Sequence, residues 1–143
     1  MPHSKTPVLF IGHGSPMNII NKNDYTTSLQ KLGSSLSKPD AILVISAHWL
    51  TRGTFLCSAD HPEQIYDFYG FPDELYAVQY HPPGARTIAE SLAIELKDER
   101  IQLNPDWGID HASWAVLTHM FPKAEVPVFE MSLDVQKNER EHY

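Results

Sequence analysis

The sequence predicts an α/β protein with three layers, in which helices cover both faces of a mostly parallel central sheet. Short apolar runs rich in β-forming residues recur at 8–11, 41–47 and 126–133, and continuous runs of this kind are typical of strands buried on both faces. Segments with helical spacing of apolar residues alternate with them, which indicates βαβ units. The chain has 143 residues, which suits one domain and leaves no room for two. We therefore expect a single α/β domain over 1–143.

Composition limits the classes of partner. Hydrophobic residues make up 42% and charged residues 20% of the chain, as in soluble globular proteins. The net charge is −7 without a block of Lys or Arg, so we expect no nucleic-acid partner and no membrane surface. The lone Cys57 excludes an intrachain disulfide and favours a reducing compartment. With no apolar stretch near the ~20 residues of a membrane span and no signal-peptide core, a cytoplasmic location is expected.

The first half of the chain predicts a strand, a helix and a second strand. The run at 8–11 is the first buried strand. The spacing of apolar residues predicts a helix over 24–36 with Asp24 as its N-cap. The run at 41–47 is the second strand, and its order in the chain makes it a parallel neighbour of the first.

The second half adds shorter elements around a long aromatic loop at 61–72, a type of loop that often forms a lid or a pocket wall; its aromatic residues would otherwise form a small core under the loop. Further strands are predicted at 54–58, 74–80, 101–103 and 126–133. Two helices are predicted, at 82–97, with Ile88, Leu92 and Leu96 on one face, and at 112–121. The polar residues 134–143 could begin another helix.

Histidines follow both of the first two strands. His13 stands between Gly12 and Gly14 after the first strand, and His48 follows the second. Because parallel neighbouring strands end at the same edge of a sheet, where open α/β sheets hold their ligands, His13 and His48 are expected to lie close together. The alternative is a turn with an incidental histidine.

The chain contains eight histidines and one cysteine, which favours a catalytic metal or proton transfer over structural zinc. Iron or zinc needs three or more protein ligands. Spacing does not choose the third ligand from the candidates Asp67, His61, His81, Asp110 and His111. His111 precedes a helix, whose amino end lowers the pKa of an imidazole, so it could serve in acid–base chemistry; a cap or core histidine is the alternative. His119, inside that helix, is expected to be structural.

Other chemistries find no support. The chain lacks both the P-loop and the dinucleotide-binding glycine patterns. Ser15 is not in a G-x-S-x-G elbow and has no assignable base as a nucleophile. Cys57 lies in a predicted strand and is expected to belong to the core.

Four motifs resemble, in this order, the class III extradiol ring-cleaving dioxygenases of the LigB type, and the DOPA-dioxygenase branch in particular. They are GHGSPM (12–17), ILVISAHW (42–49), IYDFYGFP (65–72) and WGIDHASWAVL (107–117). The resemblance extends over about 7–134, and it is specific in combination although GHGS alone would be weak.

The resemblance implies opening of a catechol ring by non-haem Fe(II) and O₂, with Zn(II) in some isolated members. It implies that His13 and His48 bind the metal and that His111 acts in catalysis near the substrate, outside the metal's first coordination sphere. The aromatic loop would form part of a catechol pocket, whose candidate residues are Ser15, Asp67, Phe68 and Phe71. A facial set of three ligands leaves positions for a bidentate catecholate and O₂.

The chain also departs from that family. The resemblance implies that a third metal ligand and the main acid–base histidine lie in a carboxy-terminal half beyond this chain, and that members are roughly twice as long. Tyr66 stands where the pattern usually has histidine. We therefore expect the amino-terminal part of a larger catalytic domain, with impaired activity by itself. An apolar edge at 126–133 is expected to drive formation of a homo-oligomer.

Two other classes remain open. A small class II chelatase that inserts a metal into a tetrapyrrole also carries a GHGS loop, but Pro16 stands where arginine would be expected, and the IYDFYGFP loop is foreign to that class. A non-catalytic interaction module on the same fold would have no tight metal at His13 and His48.

Overall fold

The computed structural model describes residues 6–143 and contains a mixed four-stranded sheet. The strands are β1 (Ile42–Thr51), β2 (Phe55–Cys57), β3 (Gln102–Asn104) and β4 (Val128–Asp134), in the spatial order β1-β4-β2-β3. β1 pairs with β4 and β2 with β3 in parallel, whereas β2 meets β4 antiparallel through Leu56 and Met131. The prediction of a mostly parallel sheet is confirmed.

Helices connect the strands. The α-helices are α1 (Asp24–Ser35), α2 (Asp73–Tyr76), α3 (Arg86–Glu95), α4 (His111–Met120) and α5 (Glu139–His142), and 3₁₀ turns cover Pro16–Ile19 and Lys97–Glu99. Among these described helices, none has the length and apolarity that crossing a membrane requires.

Two successive residues of β4 show which helix covers each face of the sheet. Val128 packs into a core that contains Trp114 of α4, whereas Phe129 packs into a second core that contains Ala89 of α3. Successive strand residues point to opposite faces of a sheet, so α4 and α3 cover opposite faces, as predicted. α1 lies on α4 with Gly33 at the contact, where a Cβ would come within 2.1 Å of the Met120 carbonyl oxygen.

The predicted strand at 8–11 is absent. Its residues adopt no regular structure, and Val8 and Phe10 are fully exposed. No backbone–backbone hydrogen bond joins this segment to another part of residues 6–143. An apolar run becomes a buried strand only where a neighbour supplies both ladder bonds and a packing surface, and here β1 pairs with β4 alone.

The predicted free edge at 126–133 is also wrong. β4 lies between β1 and β2, and Val128 and Phe129 are buried. β1 occupies the edge instead, and its Ile45 and Leu50 are each 59% exposed.

β1 continues past the predicted end at 47, so His48 lies within the strand rather than after it. Its register against β4 shifts between Ile45 and Leu50, which leaves residues 46–49 out of the ladder. This interruption releases the backbone around His48 from regular pairing.

The predicted strand at 74–80 is wrong, because α2 begins there. Asp73 and Glu74 stand in its first turn after Pro72, and acidic residues at this position favour a helix start through the helix dipole.

Two helices differ in detail from prediction. Asn23, not Asp24, caps α1, since its side chain accepts the Thr26 N–H while Thr26 accepts the Asn23 N–H. α3 begins at Arg86 and buries Ala89, whereas Ile88, predicted on its apolar face, is 41% exposed.

Candidate metal centre

Three histidines from three different elements meet at one edge of the sheet. His13 comes from the loop before the first 3₁₀ turn, His48 from β1 and His111 from the first turn of α4. One ring nitrogen from each lies within 4.8 Å of the other two, in an arrangement that could hold a metal ion. The expectation that His13 and His48 lie close together is confirmed by a distance of 2.9 Å between their Nε2 atoms.

The hydrogen bonds of His13 leave its Nε2 free to bind a metal. Its Nδ1 lies 2.9 Å from the Gly14 carbonyl oxygen, which can only accept, so Nδ1 carries the proton of the neutral ring. Nε2 of the neutral ring then carries a lone pair that faces His48 Nε2. Burial lowers the pKa of His13 from its usual value, and His111 and His48 lower it further, against the bond to Gly14. The neutral ring is the form that binds metals.

The spacing of the two nitrogens fits a divalent ion. Two nitrogens at ~2.1 Å from a metal and at the right angle of octahedral coordination would be about 3.0 Å apart, close to the observed 2.9 Å. Three neighbouring imidazole nitrogens form a donor set that suits iron or zinc.

His111 is buried and is held by its backbone. Its N–H donates to Asp67 Oδ1 at 2.9 Å, and the Asp110 side chain accepts the Ala112 N–H at 2.9 Å as the N-cap of α4. His111 Nδ1 also lies 2.8 Å from Asp67 Oδ1, but the approach is not aligned as a hydrogen bond, so Nδ1 is a buried nitrogen without a hydrogen-bond partner. A polar atom left in this state beside two other imidazoles fits a role in ligand binding.

Asp67 carries a negative charge beside this ring. Burial acts to raise the pKa of Asp67, but its contacts with the ring and backbone of His111 outweigh burial, and the net shift is downward. Asp67 therefore stays ionised to a lower pH than an isolated aspartate would.

The aromatic loop forms one wall of the centre. Phe68 is buried and meets the His111 ring edge-on at 5.4 Å between centroids. Phe71 packs edge-on against Phe68 at 5.5 Å. The Tyr66 hydroxyl donates to the Val78 carbonyl oxygen at 2.6 Å. Of the predicted pocket residues, the structure therefore brings Asp67 and Phe68 to His111, with Phe71 behind them.

Ser15 has a local structural task. Its Oγ accepts the Met17 N–H at 3.2 Å and caps the 3₁₀ turn. This places it two residues from His13 without a contact to the other two imidazoles.

The remaining candidate ligands lie elsewhere. His61 and His81 line a separate cleft of about 560 Å³. The Asp110 side chain accepts from Ser46 and from the backbone of α4. His119 contacts the Asn18 carbonyl oxygen at 2.8 Å, which agrees with the structural role expected for it.

Sequence reasoning missed a buried carboxylate behind the histidines. Glu130 of β4 is fully buried and accepts from the Trp107 indole at 2.8 Å, from the Asp110 N–H at 2.9 Å and from the Ser113 hydroxyl. Burial, with Asp110 nearby, raises the pKa of Glu130 to about 8, although the bonds from Ser113 and Trp107 oppose the shift. In the sequence VFEMSL one acidic residue interrupts an apolar strand. A buried acid requires hydrogen-bond partners, so this pattern indicates a polar cluster around Glu130.

The chain is similar to known proteins in sequence and in fold. All of residues 1–143 match the family model described as the catalytic LigB subunit of aromatic ring-opening dioxygenase. A 4,5-DOPA dioxygenase extradiol of Escherichia coli (strain K12) is 44% identical over 100% of this chain and 53% of its own length, and one of Mirabilis jalapa is 34% identical over 94% and 52%. The crystal structure of an uncharacterized protein from Escherichia coli K12 is similar with a TM-score of 0.72 and 38% identity, over 90% of this chain and 48% of that one.

The chain thus spans about half the length of the curated relatives it matches. The match over residues 1–143 agrees with the motifs around all three histidines and with the α/β fold. The chain belongs to the LigB family of aromatic ring-opening dioxygenases.

Proposed function

We propose that this chain supplies the histidine-bearing part of an extradiol dioxygenase centre that opens the ring of a DOPA-like catechol. The observation that supports this most directly is the convergence of His13, His48 and His111 within 4.8 Å. Relatives named 4,5-DOPA dioxygenase extradiol suggest the substrate class. His13 and His48 are the proposed ligands of a non-haem divalent metal, with Fe(II) as the native ion and Zn(II) as an ion that the same nitrogens would also bind.

The residues around the ion have separate tasks in this proposal. A bound divalent metal would act as a Lewis acid that favours ionisation of a catechol hydroxyl. His111, next to His48 and outside the direct ligand pair, would accept that proton, and the Asp67 carboxylate 2.8 Å away would stabilise the protonated ring. Phe68 and Phe71 would exclude water and hold the aromatic substrate.

We further propose that the single α/β domain formed by these 143 residues is one part of a larger catalytic domain. The chain matches only about half of its relatives' length, and two proposed ligands are fewer than iron or zinc needs. Each missing ligand or supporting residue typically costs tenfold or more in affinity or activity, so this chain by itself is expected to show little ring cleavage. The exposed Ile45 and Leu50 on β1 would favour association into a homo-oligomer. The proposal includes no nucleic-acid partner and no membrane partner.

Metal analysis tests the proposal. The purified chain is expected to bind Fe(II) or Co(II) in a one-to-one complex, and His13→Ala or His48→Ala is expected to weaken the affinity about 100-fold. His61→Ala is a matched control, because His61 lies in the separate cleft. Equal affinity in all four proteins would contradict the metal site and favour the non-catalytic module.

Oxygen uptake with Fe(II) and DOPA tests the reaction. Slow uptake that depends on His48 is expected, and robust turnover would contradict the proposed impairment. Metallation of sirohydrochlorin, the reaction of the chelatase alternative, is expected to be absent, and its detection would overturn the dioxygenase proposal.

A further inference from the structure

A chain of buried polar groups lies beneath the candidate metal centre and joins the elements that carry two of its histidines. Ser46 of β1, Asp110 before α4, Ser113 of α4 and Glu130 of β4 all have no exposed surface. Buried polar groups are stable only when their hydrogen bonds are made, and here the bonds form one connected path from His48 to the start of α4.

The first part of the path holds His48. The Ser46 Oγ accepts the His48 N–H at 3.1 Å and donates to Asp110 Oδ2 at 2.6 Å. β1 is out of register with β4 between Ile45 and Leu50, so the Ser46 hydroxyl takes the place of a ladder acceptor. The position of the His48 backbone is thereby tied to Asp110 rather than to the sheet.

The second part of the path holds the start of α4. Asp110 Oδ1 accepts the Ala112 N–H at 2.9 Å, and the Asp110 N–H donates to Glu130 Oε1 at 2.9 Å. Ser113 donates to the same Glu130 oxygen. Both sides of His111 are thus anchored to β4, and its ring lies 4.3 Å from that of His48 between centroids.

We propose that Ser46 and Asp110 are positioning residues that hold the His48 ring, a proposed metal ligand, in place relative to His111, the proposed proton acceptor. The inference rests on the proposed function, since it assumes that His48 binds a metal. Without the Ser46 hydroxyl, the His48 N–H and Asp110 Oδ2 would both lose a partner, and β1 could move relative to α4. Loss of a group that supports a metal ligand typically weakens metal affinity tenfold or more.

Titration of the metal-free chain with Co²⁺, followed by calorimetry and visible absorption, tests the inference. Ser46→Ala is expected to weaken Co²⁺ binding about tenfold. Ser132→Ala is the matched control. Ser132 is buried in β4, where its Oγ contacts Thr51 Oγ1 at 2.6 Å and accepts the Phe55 N–H at 2.9 Å. It should lower the melting temperature comparably and leave the Co²⁺ affinity unchanged.

Asp110→Asn is a second variant that keeps the size of the side chain and an oxygen for the Ala112 N–H. Its amide group would donate to Ser46 and compete with the His48 N–H, so a similar loss of Co²⁺ affinity is expected. This variant tests the inference even if Ser46→Ala does not fold.

The outcomes separate the two levels of the proposal. If His48→Ala weakens Co²⁺ binding but Ser46→Ala and Asp110→Asn bind as the unmodified chain does, the positioning inference fails and the metal site stands. If Ser132→Ala weakens binding as much as Ser46→Ala, the effect is one of general stability and the inference fails. If His48→Ala has no effect, the proposed function fails and the inference fails with it.

Discussion

The two regions that deliver the histidines are built in opposite ways. His111 stands on a helix whose start is fixed by hydrogen bonds to the side chains of Asp67, Asp110 and Glu130. His13 stands on a loop whose residues 7–14 make no backbone–backbone hydrogen bond with the rest of the described chain. One imidazole is therefore positioned in advance by the core, whereas the other depends on a few side-chain contacts.

Those contacts are identifiable. The Tyr25 hydroxyl donates to the Gly12 carbonyl oxygen at 2.9 Å, and the Asn18 amide donates to the His13 carbonyl oxygen at 3.4 Å. Gly14 adopts φ +65°, a conformation that glycine adopts at little cost. The site thus combines a rigid base with a histidine on an adjustable loop, and four experiments test this contrast between the two regions.

The largest expected effect is on stability in the buried region. Glu130→Ala leaves the donors of Trp107, Asp110 and Ser113 without an acceptor, which should lower the free energy of unfolding by about 3 kcal/mol or more. Phe10→Ser, on the exposed loop, should change it by less than about 0.5 kcal/mol. Chemical denaturation measures both values. Similar losses in the two variants would contradict the contrast between the regions.

The next effect is on metal binding through the loop. Tyr25→Phe removes the bond to Gly12 and should weaken Co²⁺ affinity about threefold, a loss within the ~1 kcal/mol of one hydrogen bond. Tyr69→Phe is the control, since Tyr69 is 91% exposed. An unchanged affinity in Tyr25→Phe would show that the loop is held by other means.

An effect of pH on stability is also expected in the buried region. The pKa of Glu130 is raised to about 8 from 4.5, so the folded state binds this proton more tightly than the unfolded state. The contribution of this proton to the free energy of unfolding is complete below about pH 4.5 and should be lost as the pH rises through about 8. Denaturation from pH 5 to 9 should show this decline, and Glu130→Gln should flatten it. An identical pH profile for the variant would refute the assignment.

The smallest effect has the opposite sign and belongs to the loop. The pKa of His13 lies below its usual 6.5 because of burial, so the unfolded state binds the proton more tightly. The stability of the metal-free chain should fall as the pH drops below 6.5 and through the lower folded-state pKa. Comparison with His13→Gln at pH 5 to 7 isolates the contribution of His13 to the pH dependence of the free energy of unfolding. A steeper decline in the variant would be inconsistent with a neutral His13.

The sequence allowed the meeting of His13 and His48 to be predicted, although one premise was wrong. The apolar pattern predicts residues 8–11 as a parallel neighbour of β1, whereas the structure shows an unpaired segment that nevertheless ends beside His48. Local pattern indicates that a residue follows an extended segment, but it cannot show whether a neighbouring strand is available.

The support of the site could not be read from local pattern. The partners of Glu130 come from Trp107, Asp110 and Ser113, and only the folded chain brings them to β4. Likewise, Ser46 reads as one small residue in an apolar strand, and its role depends on a register shift between β1 and β4 that no periodicity encodes.

The parallel ladder between β1 and β4 has a consequence for how the protein is made. Ile42 pairs with Val128, so a ribosome must deliver α2, α3, α4 and the two short strands before this ladder can close. Contacts between such distant positions form slowly because the loop-closure entropy must be met first. The nascent chain will therefore display the apolar residues of β1 until Val128 has been made, and the three-histidine centre should form late in the folding of residues 6–143.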